Sequence, residues 1–111
     1  METIICAVPE TPAEIIRERV DNGIQFLFEE LADDWYDHID TKRLDLGDMM
    51  DCVIGQLYAP STGEWGGWNR FCEHHEPSSE WMLAHGFDSP NTQDYALLTR
   101  EWKARIHDMI A

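Results

Sequence analysis

The run Leu44-Asp45-Leu46-Gly47-Asp48-Met49-Met50-Asp51-Cys52-Val53-Ile54-Gly55-Gln56-Leu57-Tyr58-Ala59-Pro60 is the stretch around which the chain reads as organised. It holds the densest apolar block in the middle of the sequence, from Met49 to Leu57. Asp48 is the expected N-cap, since its carboxylate can accept from free backbone N–H groups of a first helical turn. Pro60 is the expected stop, because it lacks a donor and restricts the residue before it. Met49, Cys52, Val53, Gln56 and Leu57 recur at helical spacing, and Gly55 would let a neighbouring element approach. The reading is a short central helix over residues 48–58, buried on most of its circumference. Cys52 then becomes a small core thiol, a place where a serine hydroxyl would be costly.

Outward from this block, two longer amphipathic segments are legible. Thr11-Pro12-Ala13-Glu14 has a capping threonine, a proline at the first helical position and a glutamate at the third. Ile16, Val20, Ile24, Leu27, Leu31 and Trp35 follow at steps of four, four, three, four and four, and Phe28 widens the stripe. This predicts a long helix over residues 12–37. Gly23 in its middle costs about 1 kcal/mol relative to alanine and so marks a close contact or a bend. Near the other end, Asn91 or Thr92 is the expected cap of a second long helix over 92–109. Its stripe is Tyr95, Leu98, Trp102, Ile106 and Met109 or Ile110, with Arg100, Lys103 and Arg105 toward the C-terminal half, where cations complement the dipole.

Shorter helices are expected between them. Residues 40–47 read as a connector with Leu44 and Leu46 turned inward. Residues 61–68 form a glycine-rich loop carrying Trp65 and Trp68, leading into a helix over 67–74. Pro77-Ser78-Ser79-Glu80 starts another over 79–85, with Gly86 as its left-handed C′ residue and Phe87 as the accompanying apolar contact. Residues 1–10 are expected as an extended arm, since a strand alone is not stable. With 111 residues the chain has room for one domain, 1–111, of all-α class. No internal repeat or low-complexity tract is present.

Charge bounds the function. Twenty-two acidic and eight basic residues give −14, and residues 1–51 carry −10 of it. Such a field repels phosphate, so direct nucleic-acid binding is not expected; it attracts basic protein surfaces. The competing reading is that the acids only keep the protein soluble. No apolar run reaches the length of a membrane span, and three widely spaced cysteines fit reduced thiols in a cytoplasm better than a disulfide framework.

One pattern along residues 31–105 brings in a resemblance. Trp35, Ile39-Asp40, Leu44-Asp45-Leu46, Cys52-Val53-Ile54-Gly55-Gln56-Leu57, His85-Gly86-Phe87, Tyr95, Leu98 and Trp102 together resemble a group of small uncharacterised proteins of actinobacteria and their phages. The loop at 61–76 is less typical of that group. The resemblance implies a genomic setting and no particular chemistry.

Few residues group in a way that would carry catalysis. Cys72-Glu73-His74-His75 concentrates ligand types, and Cys72, His74 and His75 are the alternative candidates for a small metal-binding or enzymatic domain. The chain lacks the paired spacing that structural zinc uses, and adjacent histidines on a helix point apart. Gly63, Gly66 and Gly67 lack the lysine and helix start of a phosphate loop. No catalytic residue, metal or cofactor is therefore assigned. The expected function is non-catalytic binding of a protein partner with a basic or mixed surface. Its residues would be Glu29, Glu30, Asp33, Asp34, Asp37 and Asp40 as an acidic face, with Trp65 and Trp68 as aromatic anchors, since aromatics dominate interface hot spots.

Overall fold

The computed structural model describes residues 12–48, 50–58, 67–89 and 93–110. Among these the chain is all-α, without strands. The helices are α1 (Pro12–Glu30), α2 (Val53–Leu57), α3 (Gly67–His75), α4 (Ser79–Ala84) and α5 (Asp94–Ile110), with a 3-10 turn at Trp35–His38. The expected arm over 1–10, the cap at Thr11, the caps at Asn91 or Thr92, Pro60 and Trp65 lie outside the described residues.

The two long helices pack on each other, and the stripes that predicted them supply the contact. Ile16, Val20, Ile24 and Leu27 of α1 and Leu98, Trp102 and Ile106 of α5 are all buried. Burial of this kind is worth about 1.5–3 kcal/mol for each large side chain. Arg105 and Asp21 form an ion pair across the same interface at the surface.

The first long helix is shorter than its periodicity predicts. It ends at Glu30, and Trp35 reaches the core from a separate 3-10 turn whose N-cap, Asp34, makes no side-chain cap hydrogen bond. Asp33 and Asp34 explain the break: aspartate competes for backbone hydrogen bonds, and carboxylates at a helix C-terminus oppose its dipole. The extra turn redirects Trp35 onto Trp102, edge to face with centroids 6.4 Å apart. Phe28, expected to widen the stripe, instead leans edge-on over Trp35 and Tyr36 and stays exposed. Phe26, off the stripe, packs against the core.

The central helix also starts later than expected, at Val53. Its N-cap is Cys52, whose Sγ accepts from the Gly55 N–H at 3.2 Å. Asp48 caps the turn before it, accepting from the Met50 N–H at 2.8 Å. Leu44 and Leu46 are buried as expected, held there by a series of aspartate turns. Asp40 accepts from the Lys42 N–H and Asp45 from the Gly47 N–H, each two residues on. Gln56 stitches the segment together: its Oε1 accepts from the Asp40 N–H at 2.7 Å, and its Nε2 donates to the carbonyls of Asp40 and Asp51.

The end of α4 decides how closely everything else approaches. Gly86 has φ +70, and its N–H donates to the Leu83 carbonyl while the Phe87 N–H donates to that of Met82. This is the Schellman pair expected from His85-Gly86-Phe87, with Phe87 and Met82 both buried. The turn lies directly on α1 and α5. A Cβ at Gly86 would meet the Arg19 carbonyl oxygen at 3.1 Å. A Cβ at Gly23 would collide with the His85 carbonyl oxygen and meet Trp102 Cζ2 at 2.8 Å. Gly23 therefore marks a close contact.

Two opposite outcomes separate helix propensity from packing at Gly23. Propensity alone predicts that Gly23→Ala gains about 1 kcal/mol. The blocked space predicts a net loss of roughly 2 kcal/mol, because the obstructing atom is backbone and cannot rotate away. Urea unfolding of the variant should show that loss, and Trp102→Ala should cost about 3–5 kcal/mol in the same assay.

Candidate functional site

Each residue nominated from the sequence has a definite place except Trp65, which lies outside the described residues. Glu29 and Glu30 close α1, and Asp33, Asp34, Asp37 and Asp40 continue from them through the 3-10 turn; all six are exposed. They form an acidic ridge with few partners. His38 lies 3.7 Å from Asp34 and His75 lies 3.5 Å from Glu30, contacts that become ion pairs only when the histidine is protonated. Asp40 is committed to the Lys42 turn. Asp33 and Asp37 have no cationic side chain against them among the described residues. Trp68 is half-buried on the first turns of α3 and packs against the core.

Cys72, His74 and His75 do not converge. Among the described residues no three cysteine, histidine, aspartate or glutamate side chains gather as a metal site would require. His74 is exposed, whereas His75 is half-buried with its ring on Phe71 at 4.6 Å. Phe71, next to Cys72, is the buried aromatic residue of α3. The Cys72 thiol is held above its ordinary range by burial.

A second feature is a small cavity of about 230 Å³ lined by Leu46, Gly47, Cys52, Trp68, Phe87, Asp88 and Tyr95. Its polar groups are occupied. Tyr95 donates to Asp88 Oδ1 at 2.7 Å, and this hydrogen bond, with burial, pushes the phenol up to about 12. Burial pushes the Cys52 thiol from 9.0 up to about 11, which removes it as a nucleophile near neutrality. At that volume the cavity is below the usual size of ligand pockets, about 300–1,000 Å³.

The third feature is one that the sequence reading missed. Along the seam of α1 and α4, and on to the end of α3, lie two adjoining clefts of about 340 and 430 Å³. Phe26 and Trp81 line both, so they form the saddle between them. Trp81 stacks on His85 with centroids 4.0 Å apart and an interplanar angle of 18°, and Phe26 meets Trp81 edge-on at 4.9 Å. The His85 Nδ1 lies 2.8 Å from the Trp81 carbonyl. A carbonyl only accepts, so Nδ1 carries the proton and Nε2 is the acceptor of the neutral ring. Carboxylates stand at both clefts: Glu29 at one, Glu76 at the other. The seam was legible only as Asn22, Phe26 and Glu29, spaced four and three apart on α1 beside the main stripe.

No family model matches the chain, and no curated protein or solved structure matches it. Among the described residues no helix is long and apolar enough to cross a membrane.

Two outcomes test the Cys52 environment. The cap hydrogen bond revises the cost expected for serine there: a hydroxyl accepts from the Gly55 N–H better than a thiol does. Cys52→Ser should then lie within about 1 kcal/mol of the parent at pH 7 in denaturant unfolding. The alkaline limb separates the two proteins. Because the folded-state pKa is raised from 9.0 to about 11, stability is full below pH 9 and is lost as pH rises through 11. For a thiol this deeply buried, the loss is on the order of 2–3 kcal/mol. Melting temperatures between pH 8 and 11 should fall more steeply for the parent than for Cys52→Ser.

Proposed function

We propose that this chain is a small acidic, non-catalytic binding module that works in the cytoplasm and docks on a basic or mixed surface of a protein partner. The observation that carries this reading is where the carboxylates stand. Alpha-1 ends in Glu29 and Glu30, has no basic residue in its last turn, and runs into Asp33, Asp34 and Asp37. Negative charge at a helix C-terminus opposes the dipole, and like charges at helical spacing repel, each by a few tenths of a kcal/mol or more. A surface needed only for solubility could carry its acids at helix N-termini, where they stabilise. Glu29, Glu30 and Asp33 thus stand where they weaken α1, whereas Asp34 and Asp37 fall at the N-terminal side of the 3-10 turn. Carboxylates kept at a helix end that disfavours them point to a use outside the fold.

An exposed ridge of this sign acts over about a Debye length of 8–10 Å and accelerates encounter with a basic surface. Surfaces that hold DNA or RNA are basic in this way, so acidic mimicry of nucleic acid is one form the binding takes. In the genomic setting implied by the resemblance to actinobacterial and phage proteins, the partner is a host factor or defence complex. Interference with it would follow from occupying that basic surface.

The test begins with capture of the partner from the host lysate and its identification by mass spectrometry. Neutralising Asp33, Asp34 and Asp37 to their amides should then slow association with the purified partner by about tenfold or more at low salt. The salt dependence should flatten and dissociation should change less. An unchanged association rate at low salt would leave the ridge a solubilising surface.

A further inference from the structure

We propose that the paired clefts on the seam of α1 and α4 receive arginine side chains of a basic segment on the partner, with the Phe26–Trp81 saddle between them. This rests on the binding reading above and goes further by naming an anchoring site that adjoins the steering ridge and shares Glu29 with it.

Three properties of the seam select the occupant. The first is charge. Glu29 and Glu76 stand at the two clefts, Glu30 is 3.5 Å from His75 beside the second, and Glu80 lies farther along the seam with Glu18. Among the described residues, Arg19 is the one arginine or lysine lining the clefts along this seam, and it sits at the far end, away from the saddle. Anionic or neutral apolar segments would leave these carboxylates uncompensated as the interface dries.

The second property is the aromatic lining. Phe26, Trp81, His75 and His85 are each half-buried, so every one keeps surface at the clefts. A guanidinium is planar, weakly hydrated, stacks on aromatic surface and offers a fork of donors matched to a carboxylate. An ammonium is a compact, strongly hydrated point charge and gains less from such walls. Aromatic lining with a carboxylate at each cleft therefore favours arginine over lysine. The stem of the side chain would cover Phe26 and Trp81, and the head would reach Glu29 or Glu76.

The third property is backbone strain at Glu76. Its φ is +45, a left-handed conformation that glycine adopts without penalty and other residues adopt rarely. This position follows α3 directly, where glycine is the usual residue. A glutamate here adds a carboxylate to the cleft at the expense of local stability.

The experiment uses the full chain with a labelled peptide of about twelve residues carrying arginine at every third position, and with the same peptide carrying lysine instead. Binding kinetics are measured at 150 mM salt, and indole and imidazole resonances of Trp81 and His85 are followed by NMR. The expected result is at least about tenfold tighter binding of the arginine peptide, with shifts at Trp81 and His85. The paired substitutions Glu29→Gln and Glu76→Gln, both at exposed positions, should speed its dissociation by about tenfold or more. Amide variants of Asp33, Asp34 and Asp37 should change only its association rate. Equal affinity for the two peptides, or unmoved Trp81 and His85 resonances, overturns the seam site. If binding is then governed by Asp33, Asp34 and Asp37, the seam proposal falls while the acidic module stands. If neither peptide binds even at low salt, both fall.

Discussion

The turn from Ala84 to Phe87 is the constraint on which the rest of the molecule depends. A peptide turn laid against two helices presents carbonyls that must be satisfied and a backbone that must come close. Here both requirements are met by residues from other elements. Asn22 of α1 donates to the Ala84 carbonyl at 3.0 Å, and the buried Trp102 Nε1 of α5 donates to that of Gly86 at 2.8 Å. Unpaired in the interior, the Gly86 carbonyl would cost about 1–3 kcal/mol. Gly23 and Gly86 supply the space on either side. The crossing then sets the position of Trp102, against which Phe87 stacks at 5.7 Å and Trp35 stands edge-on. The aromatic layer continues from Phe87 to Trp81 and Phe26, so the geometry of the seam clefts is inherited from this one turn.

How much of this was legible depended on whether a signal was local. The all-α class, the stripe Ile16-Val20-Ile24-Leu27, the stripe Leu98-Trp102-Ile106 and the His85-Gly86-Phe87 terminator are all local patterns, and the elements they predict are present. The end of α1 was misread because Leu31 and Trp35 keep the helical period while Asp33 and Asp34 break the helix. Both do reach toward the core, but by a turn that periodicity cannot distinguish from a helix. Cys52 was read as core when it is core and cap at once, since thiols rarely serve as caps and the pattern gave Asp48 priority. The seam was hidden for a different reason. Phe26, Trp81 and His75 come from three helices, and Glu76 follows the last residue of α3. They meet only because Gly23 and Gly86 permit the crossing, a pairing with no trace in spacing along the chain.

The net charge of −14 resolves into groups with different tasks. Asp40, Asp45 and Asp48 accept backbone N–H groups that hold the 40–51 segment in its turns, and Asp51 pairs with Arg43 at 2.7 Å. Being exposed, that ion pair contributes little by itself, about 0–1 kcal/mol, but the turns fix Leu44 and Leu46 in the core. Asparagine at the turn positions would keep the accepting oxygen and lose only the charge. The ridge carboxylates other than Asp40 differ in kind: Asp33 and Asp37 hold no turn, and Glu29 and Glu30 lie at a helix end that disfavours them. An acidic composition could therefore not be read as one property from the sequence. Only the hydrogen bonds divide structural aspartates from those facing solvent with nothing to hold.

That division has a geometric consequence for binding. Glu29 belongs to both the ridge and the first cleft, and Glu30 joins the ridge to His75 at the second. On the proposed reading, a basic segment drawn by the long-range field of the ridge would arrive beside the clefts without having to cross neutral surface. Screening by salt weakens the approach far more than the contact, because a guanidinium seated between aromatic rings and a carboxylate is partly desolvated and a rim charge is not. On the proposed function, the surface would separate the two tasks that a small acidic protein faces when its partner also binds polyanions. Competing for the encounter needs exposed charge in quantity; staying bound against a polymer of phosphates needs contacts a phosphate cannot make. Phe26 and Trp81 offer such contacts.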